Sequence, residues 1–361
     1  MPHRAQPSPP ASTSGVRAAA GGPRRPWPWQ RHLKLAFRLS WAANWLLLGL
    51  KIAAFVVSRS KAVLASLADS GAQKYTPRPP HAPAVDLASQ LVLSVAESQK
   101  NKYHPKYPVG RTRLEAIAVI ACACIMSVAS LEVIQFAGFD LYNGFAKGEI
   151  PELDLSPLTF VILGGGTLLK VALYLYCNAL RGRSDSIKAL AEDHINDVAS
   201  NGGAIAATIV VKFWPAGWWV DPVAAIVISI IIGARWASIT YEQVQKIVGA
   251  AAPDEFRERV ERLAAEHHPE LTVDCSRAYH FGPRYMVELE WPLARLAARL
   301  PVLTPTHDLQ VEALEEVERA FVHVDYEQRH LPEHKVERAL LLHRAERDAM
   351  RRSSSAATAL P

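Results

Sequence analysis

The chain has 361 residues, half of them apolar, with a formal net charge of +5, which is length enough for two or more domains. Mean hydropathy is close to zero, yet the apolar residues gather between about positions 35 and 246 and the charged ones at the two ends, so a membrane domain followed by a small soluble one is expected and a single soluble globule is excluded. The four scattered cysteines give neither a disulfide framework nor a zinc ribbon, and no basic–aromatic interleaving points to nucleic acid.

Residues 1–32 are rich in Pro, Ala and Arg and lack the apolar core of a secretory signal, so they read as a disordered cytosolic tail. The domain expected over 33–248 opens with a first span at about Leu35–Val57. Arg24, Arg25, Arg31, Lys34 and Arg38 around its start place that end in the cytosol. Asn44 inside it suits either a supporting role near a site or a helix–helix hydrogen bond. Ser60–Ser70 and Val85–Ala96 are each apolar with one aspartate, Asp69 and Asp86, and each is too short to cross a bilayer. Between them lie the thirteen residues Gly71–Pro83, with four prolines, two cations and a histidine. Removing them joins the halves into one span and yields Asp69-Ser-Ala-Val-Asp86, so the segment reads as an insertion into a second span. It is either a true loop or retained non-coding sequence, the alternative being that the two halves are unrelated short segments.

Lys100, Lys102, Lys106, Arg111 and Arg113 make Glu97–Arg113 a cytoplasmic connection. A third span at about Leu114–Ala137 and an acidic connection Gly138–Ser156, with Asp140, Glu149, Glu152 and Asp154, follow. The fourth span, Pro157–Leu180, contains Gly164-Gly165-Gly166, which permits a close approach or a kink. The fifth opens on Ala191–Asn201, AEDHINDVASN, and ends at an expected interfacial cluster of Trp214, Trp218 and Trp219. Asp193, Asp197 and Asn201 recur every four residues and share one helical face. Glu192 and Asp193 would serve equally as helix caps, but Asp197 sits a turn deeper. Carboxylates in a membrane-length helix make a poor core and a good site for a hard divalent ion, manganese first. A sixth span at about Asp221–Tyr241 returns the chain to the cytosol.

A soluble domain is expected over 249–340, with the order helix, strand, strand, helix, strand: Pro253–His267, Leu271–Ala278, Arg284–Trp291, Thr306–Arg319 and Ala320–Tyr326. That order suits a small α+β domain with helices on one face of a sheet. Residues 341–361 read as a mobile tail.

The split LASLADS…AVDLASQ, then YPVGRTRLEAI, AEDHINDVASN, WWVDPV, EQVQKIVG, AYHFG and AFVHVDYE, together resemble the cation diffusion facilitator family, in its manganese-type branch, over roughly residues 33–340. The resemblance implies six transmembrane helices and a ferredoxin-like cytosolic domain, a homodimer in a lipid membrane with both termini cytosolic, and no enzymatic activity. It implies export of a divalent cation, Mn2+ favoured over Zn2+ or Fe2+, in exchange for protons, at an internal membrane (Golgi, vacuole or endosome) more than the plasma membrane. By the same resemblance the metal ligands are Asp69, Asp86, Asp193 and Asp197. Zinc-type members usually carry histidine where Asp193 stands, and an all-carboxylate set favours the harder ion. Asn44, His194 and Asn201 are candidates for the surrounding shell, with His194 more simply filling out the motif. In the cytosolic domain His307, His323 and Asp325 match a regulatory metal set, weakened because Glu288 stands where a histidine is expected. Four carboxylates held together cannot all stay ionised without a cation, so proton uptake is expected on metal release. The competing reading takes the insertion as disabling: a non-transporting subunit that pairs with an active partner. An intramembrane hydrolase is disfavoured, since no nucleophile or His-Glu motif accompanies the carboxylates.

Overall fold

Apolar chain that cannot give its N–H and C=O groups to water closes those bonds on itself, and the long apolar stretches here do so as helices. In a computed structural model, residues 28–58, 82–102, 104–148, 157–267, 275–292 and 310–325 are described. Helices α1 (Pro28–Ser58), α2 (Ala82–Gln99), α3 (Arg113–Lys147), α4 (Pro157–Leu180), α5 (Asp185–Phe213) and α6 (Val220–Val248) come first. Then follow α7 (Asp254–His267) and strands β1 (Cys275–Phe281), β2 (Arg284–Pro292) and β3 (Val317–Asp325). Among the described residues, α3 and the stretch from Pro215 to Val248 are both long and apolar enough to cross a membrane by length and composition. The 31 residues of α1 and the 29 of α5 have the length as well, but α5 carries the polar motif that lowers its apolar character.

Several boundaries move from their expected places. Helix α2 starts at Ala82, inside the segment read as an insertion, with Pro83 in the first turn, where a missing N–H costs no helical bond. Residues 59–81, with Asp69 and most of that segment, lie outside the described residues. Helix α3 runs past Ala137 to Lys147, so Asp140 lies on a helix and is buried, not in an acidic connection. Gly138 and Asp140 are single interruptions in a helix-forming run, too few to end it. The triple glycine leaves α4 unbroken; Gly166 alone takes a close approach, with Leu47 Cδ2 3.2 Å from where its Cβ would be. The three tryptophans expected as an interfacial cluster differ in burial. Trp218 is buried, its ring 4.8 Å from that of Phe145 and set over Gly144, while Trp214 and Trp219 remain exposed.

Two compact units result, Met1–Glu97 with Ala121–Ile239, and Ser98–Ile120 with Thr240–Pro361. In the first, α4 and α5 lie side by side, joined by a short 3-10 turn at Arg181–Arg183. Trp41 of α1 donates to Ser94 of α2 at 2.9 Å. His32 of α1 lies 3.2 Å from the Tyr176 hydroxyl of α4.

The second unit is a three-stranded sheet, β1 antiparallel to β2 and β2 parallel to β3. Phe256, Val260 and Ala264 of α7 recur at one-turn spacing and join Ala278, Val287, Leu289, Val317 and Ala320 in its core. The helix expected to reach Arg319 does not. Residues 310–312 are helical and the strand begins at Val317. An irregularity beside Tyr285 and Met286 turns both Val317 and Ala320 inward, and that three-residue spacing mimics a helix. The basic connection is part of this unit: half-buried Lys100 pairs with buried Glu115 at 2.9 Å. Arg319 donates to the Pro108 carbonyl at 3.0 Å, and the Arg113 guanidinium stacks 3.4 Å from the Phe281 ring centre. Gly110, at φ 91°, takes the left-handed turn between these anchors.

Candidate metal centre

Helix α5 begins at Asp185, two turns before Asp193, so the capping reading of Glu192 and Asp193 falls. Glu192 instead pairs with Arg235 of α6 at 2.5 Å. One ligand atom from each of Asp193, His194 and Asp197 lies within 4.8 Å of the others, the only such trio of His, Cys, Asp or Glu among the described residues. Asp193 is 1% exposed and His194 fully buried.

His194 is thus one of the three groups brought together here. Its Nε2 is 2.8 Å from the Ser40 hydroxyl of α1, which fixes the ring, and its Nδ1 is buried with no hydrogen-bond partner. His194 stands with Asp193 and Asp197 as a group that could hold a metal ion, adding an imidazole nitrogen to the carboxylate donors expected there. Helical phase places His194 about 100° from Asp193, yet one of its ring nitrogens lies within 4.8 Å of a carboxylate oxygen of Asp193 and of Asp197, which phase alone does not reveal.

Both oxygens of Asp193 are buried without a hydrogen bond. The Gln90 amide of α2 faces that carboxylate, yet neither amide atom reaches full hydrogen-bond geometry. A buried carboxylate left this way is costly, and a cation is what relieves it. Asp197 is ion-paired with Lys170 of α4, whose ammonium also feels Asp86 and Asp193. Asp86, half-buried on α2, thus belongs to the same electrostatic cluster, and Cys122 of α3 adjoins it through Ser89 and Asp193.

The remaining expected residues fall as follows. Asp69 and His307 lie outside the described residues. Asn201 is half-buried one turn beyond Asp197, and Asn44 is buried one turn beyond Ser40 with its Nδ2 unpartnered. His323 is exposed on β3, opposite Glu290 of β2, and Asp325 ends that strand. Glu288 accepts from the Tyr279 hydroxyl at 2.7 Å and lies 3.5 Å from the Arg277 guanidinium, so it is already engaged. Burial, with help from Glu288, pushes the Tyr279 phenol up to about 12. Sequence reasoning passed over Lys170, Gln90 and Ser40. The signal for Lys170 was there: it is the one charged residue in the apolar stretch Pro157–Leu180. Gln90 stands one turn from Asp86, on the same face.

Residues 81–248 match the profile of the cation efflux transmembrane domain. Metal tolerance protein 10 of Arabidopsis thaliana is 34% identical over 310 residues, 84% of this chain and 67% of that relative. Metal tolerance protein 4 of Oryza sativa subsp. japonica is 32% identical, over 85% of this chain and 74% of its own length. Metal tolerance protein 11 of Arabidopsis thaliana is 32% identical, over 83% and 73%. The chain belongs to the cation diffusion facilitator family. As a member it is a membrane protein that transports divalent metal cations, and the convergence of Asp86, Asp193, His194 and Asp197 in one unit offers such a cation the oxygen and imidazole donors it binds.

Proposed function

We propose that this chain exports a divalent cation from the cytosol, Mn2+ first, in exchange for protons. The supporting observation is the buried trio of Asp193, His194 and Asp197, with ligand atoms within 4.8 Å of one another. Asp86 joins it from a second helix through Lys170. Carboxylates outnumber the imidazole, which suits a hard ion such as Mn2+ over Zn2+, with Fe2+ between them. Protons and the metal compete for the same oxygens, so protonation from an acidic compartment drives release and deprotonation on the cytosolic side restores the site. Access alternates by rocking of the helices around that fixed point.

The surrounding architecture in this reading is six crossings with both termini cytosolic, and a ferredoxin-like domain through which a homodimer forms. The membrane is an internal, acidic one, and no bond is made or broken, so the protein is a transporter and not an enzyme. Mn2+ uptake into proteoliposomes carrying the purified full chain and an acidic lumen is the direct measurement. Uptake that collapses with the proton gradient and is lost in Asp193→Asn is expected. Uptake indifferent to both would overturn the proposal. The second reading, a non-transporting partner subunit, draws on the thirteen residues that separate Ser70 from Ala84; it predicts no uptake by this chain alone.

A further inference from the structure

Lys170 is the one charged residue of helix α4, and it is 3% exposed. Its stem carries the ammonium onto Asp197 of α5, within electrostatic reach of Asp193 and of Asp86 on α2. A tie between α4 and α5 is a weak explanation for it. The two helices already pack along each other and are joined by a three-residue turn. A buried ion pair commonly returns less than its desolvation costs, so apolar side chains at both 170 and 197 would hold the helices as well or better. What an apolar side chain would not do is neutralise the carboxylates while no metal is bound.

From this we infer that Lys170 is the resident counter-cation of the transport site, which an arriving divalent ion must displace and which re-pairs with Asp197 as the ion leaves. The three described carboxylates and one ammonium sum to a formal charge of −2, which one divalent ion balances. The empty site keeps a partner for Asp197 at all times, so the carrier can return without stranding that charge in a dry interior. Lysine suits the task better than arginine: a compact point charge on a flexible stem swings aside readily, whereas a guanidinium grips a carboxylate with two parallel bonds.

The inference deepens the transport reading and rests on it. Its test is equilibrium Mn2+ binding, with transport in proteoliposomes, for the full chain and two substitutions. Lys170→Met removes the competitor: Mn2+ should bind about tenfold more tightly, the ordinary size of a coupling between two ligands of one site, and leave more slowly, lowering turnover. Lys170→Arg strengthens the competitor, and Mn2+ should bind about tenfold more weakly by the same argument. Opposite shifts are the signature. Weakening in both variants would make Lys170 a structural tie and overturn the inference, as would no shift in either. Should Lys170→Met not assemble, Lys170→Gln takes its place with the same expectation, and wild-type or tighter binding by Lys170→Arg is sufficient to overturn it. Wild-type protein that binds no Mn2+ at all would remove the transport reading itself, and the inference with it. Wild-type binding with insensitive variants removes the inference alone.

Discussion

His194 is held by a hydrogen bond from a different helix, and that makes Ser40 a sharp probe. Partners that orient a metal-binding histidine through its other nitrogen commonly set affinity by a factor of 10 or more. Ser40→Ala leaves Nε2 buried and unsatisfied and frees the ring to turn. Mn2+ binding by the purified full chain should weaken about tenfold, while its thermal midpoint changes little. Affinity unchanged from wild type would mean that His194 is no ligand and only packs against α1. Asp193 probes selectivity at the same place. Asp193→His exchanges a hard oxygen for a second imidazole beside His194, which suits Zn2+ more than Mn2+. The ratio of Zn2+ to Mn2+ uptake should rise, and an unchanged ratio would show that selectivity is decided elsewhere.

Elements were legible in proportion to how local their causes are. A helix occupies Pro157–Leu180, where the fourth span was expected, because an unbroken apolar run of that length folds locally as a helix. Helix α7 likewise followed from the spacing of Phe256 and Val260. The misjudged elements have non-local causes. Val317 and Ala320 face one core only because the register slips against β2, and Trp218 is buried only because Gly144 leaves a gap on α3 for its ring. The same holds for the site. Asp193 and Asp197 could be read from one helix, whereas Lys170, Ser40 and Gln90 come from three others, and no spacing along the chain links them. The sheet unit can be tested by itself within the full chain. Phe256 is buried and packs its ring 4.4 Å from that of Tyr285, so Phe256→Ala opens a large cavity under the sheet. A loss of about 3–5 kcal/mol is expected, as for other buried aromatic truncations. It should read out as faster hydrogen exchange at the β2 amides, and wild-type protection there would show that α7 contributes little to holding the sheet.

At the scale of the whole molecule, the question is whether residues 71–83 disable the site or merely decorate it. Asp86 acts electrostatically on Lys170 with the insertion present, so the α2 carboxylate is within reach of the cluster on α4 and α5. Gln90 brings a second polar group from α2 to Asp193. In the transport reading two helices supply four donors, Asp86, Asp193, His194 and Asp197, and water completes the roughly six-fold shell of a hard ion such as Mn2+. The full chain should therefore transport Mn2+ when it is the sole protein in the vesicle. Deleting 71–83 joins Ser70 to Ala84 and sets Asp69 one turn before Asp86, on the same helical face. That adds a carboxylate to a site whose Lys170 supplies one positive charge, so the deletion variant should bind Mn2+ more tightly than the full chain. Half-saturation of uptake, compared between the two proteins at one pH gradient, reads this directly. A silent full chain beside an active deletion variant would favour the partner-subunit reading. Loss of uptake on deletion would mean that the segment is an integral part of the fold and no insertion.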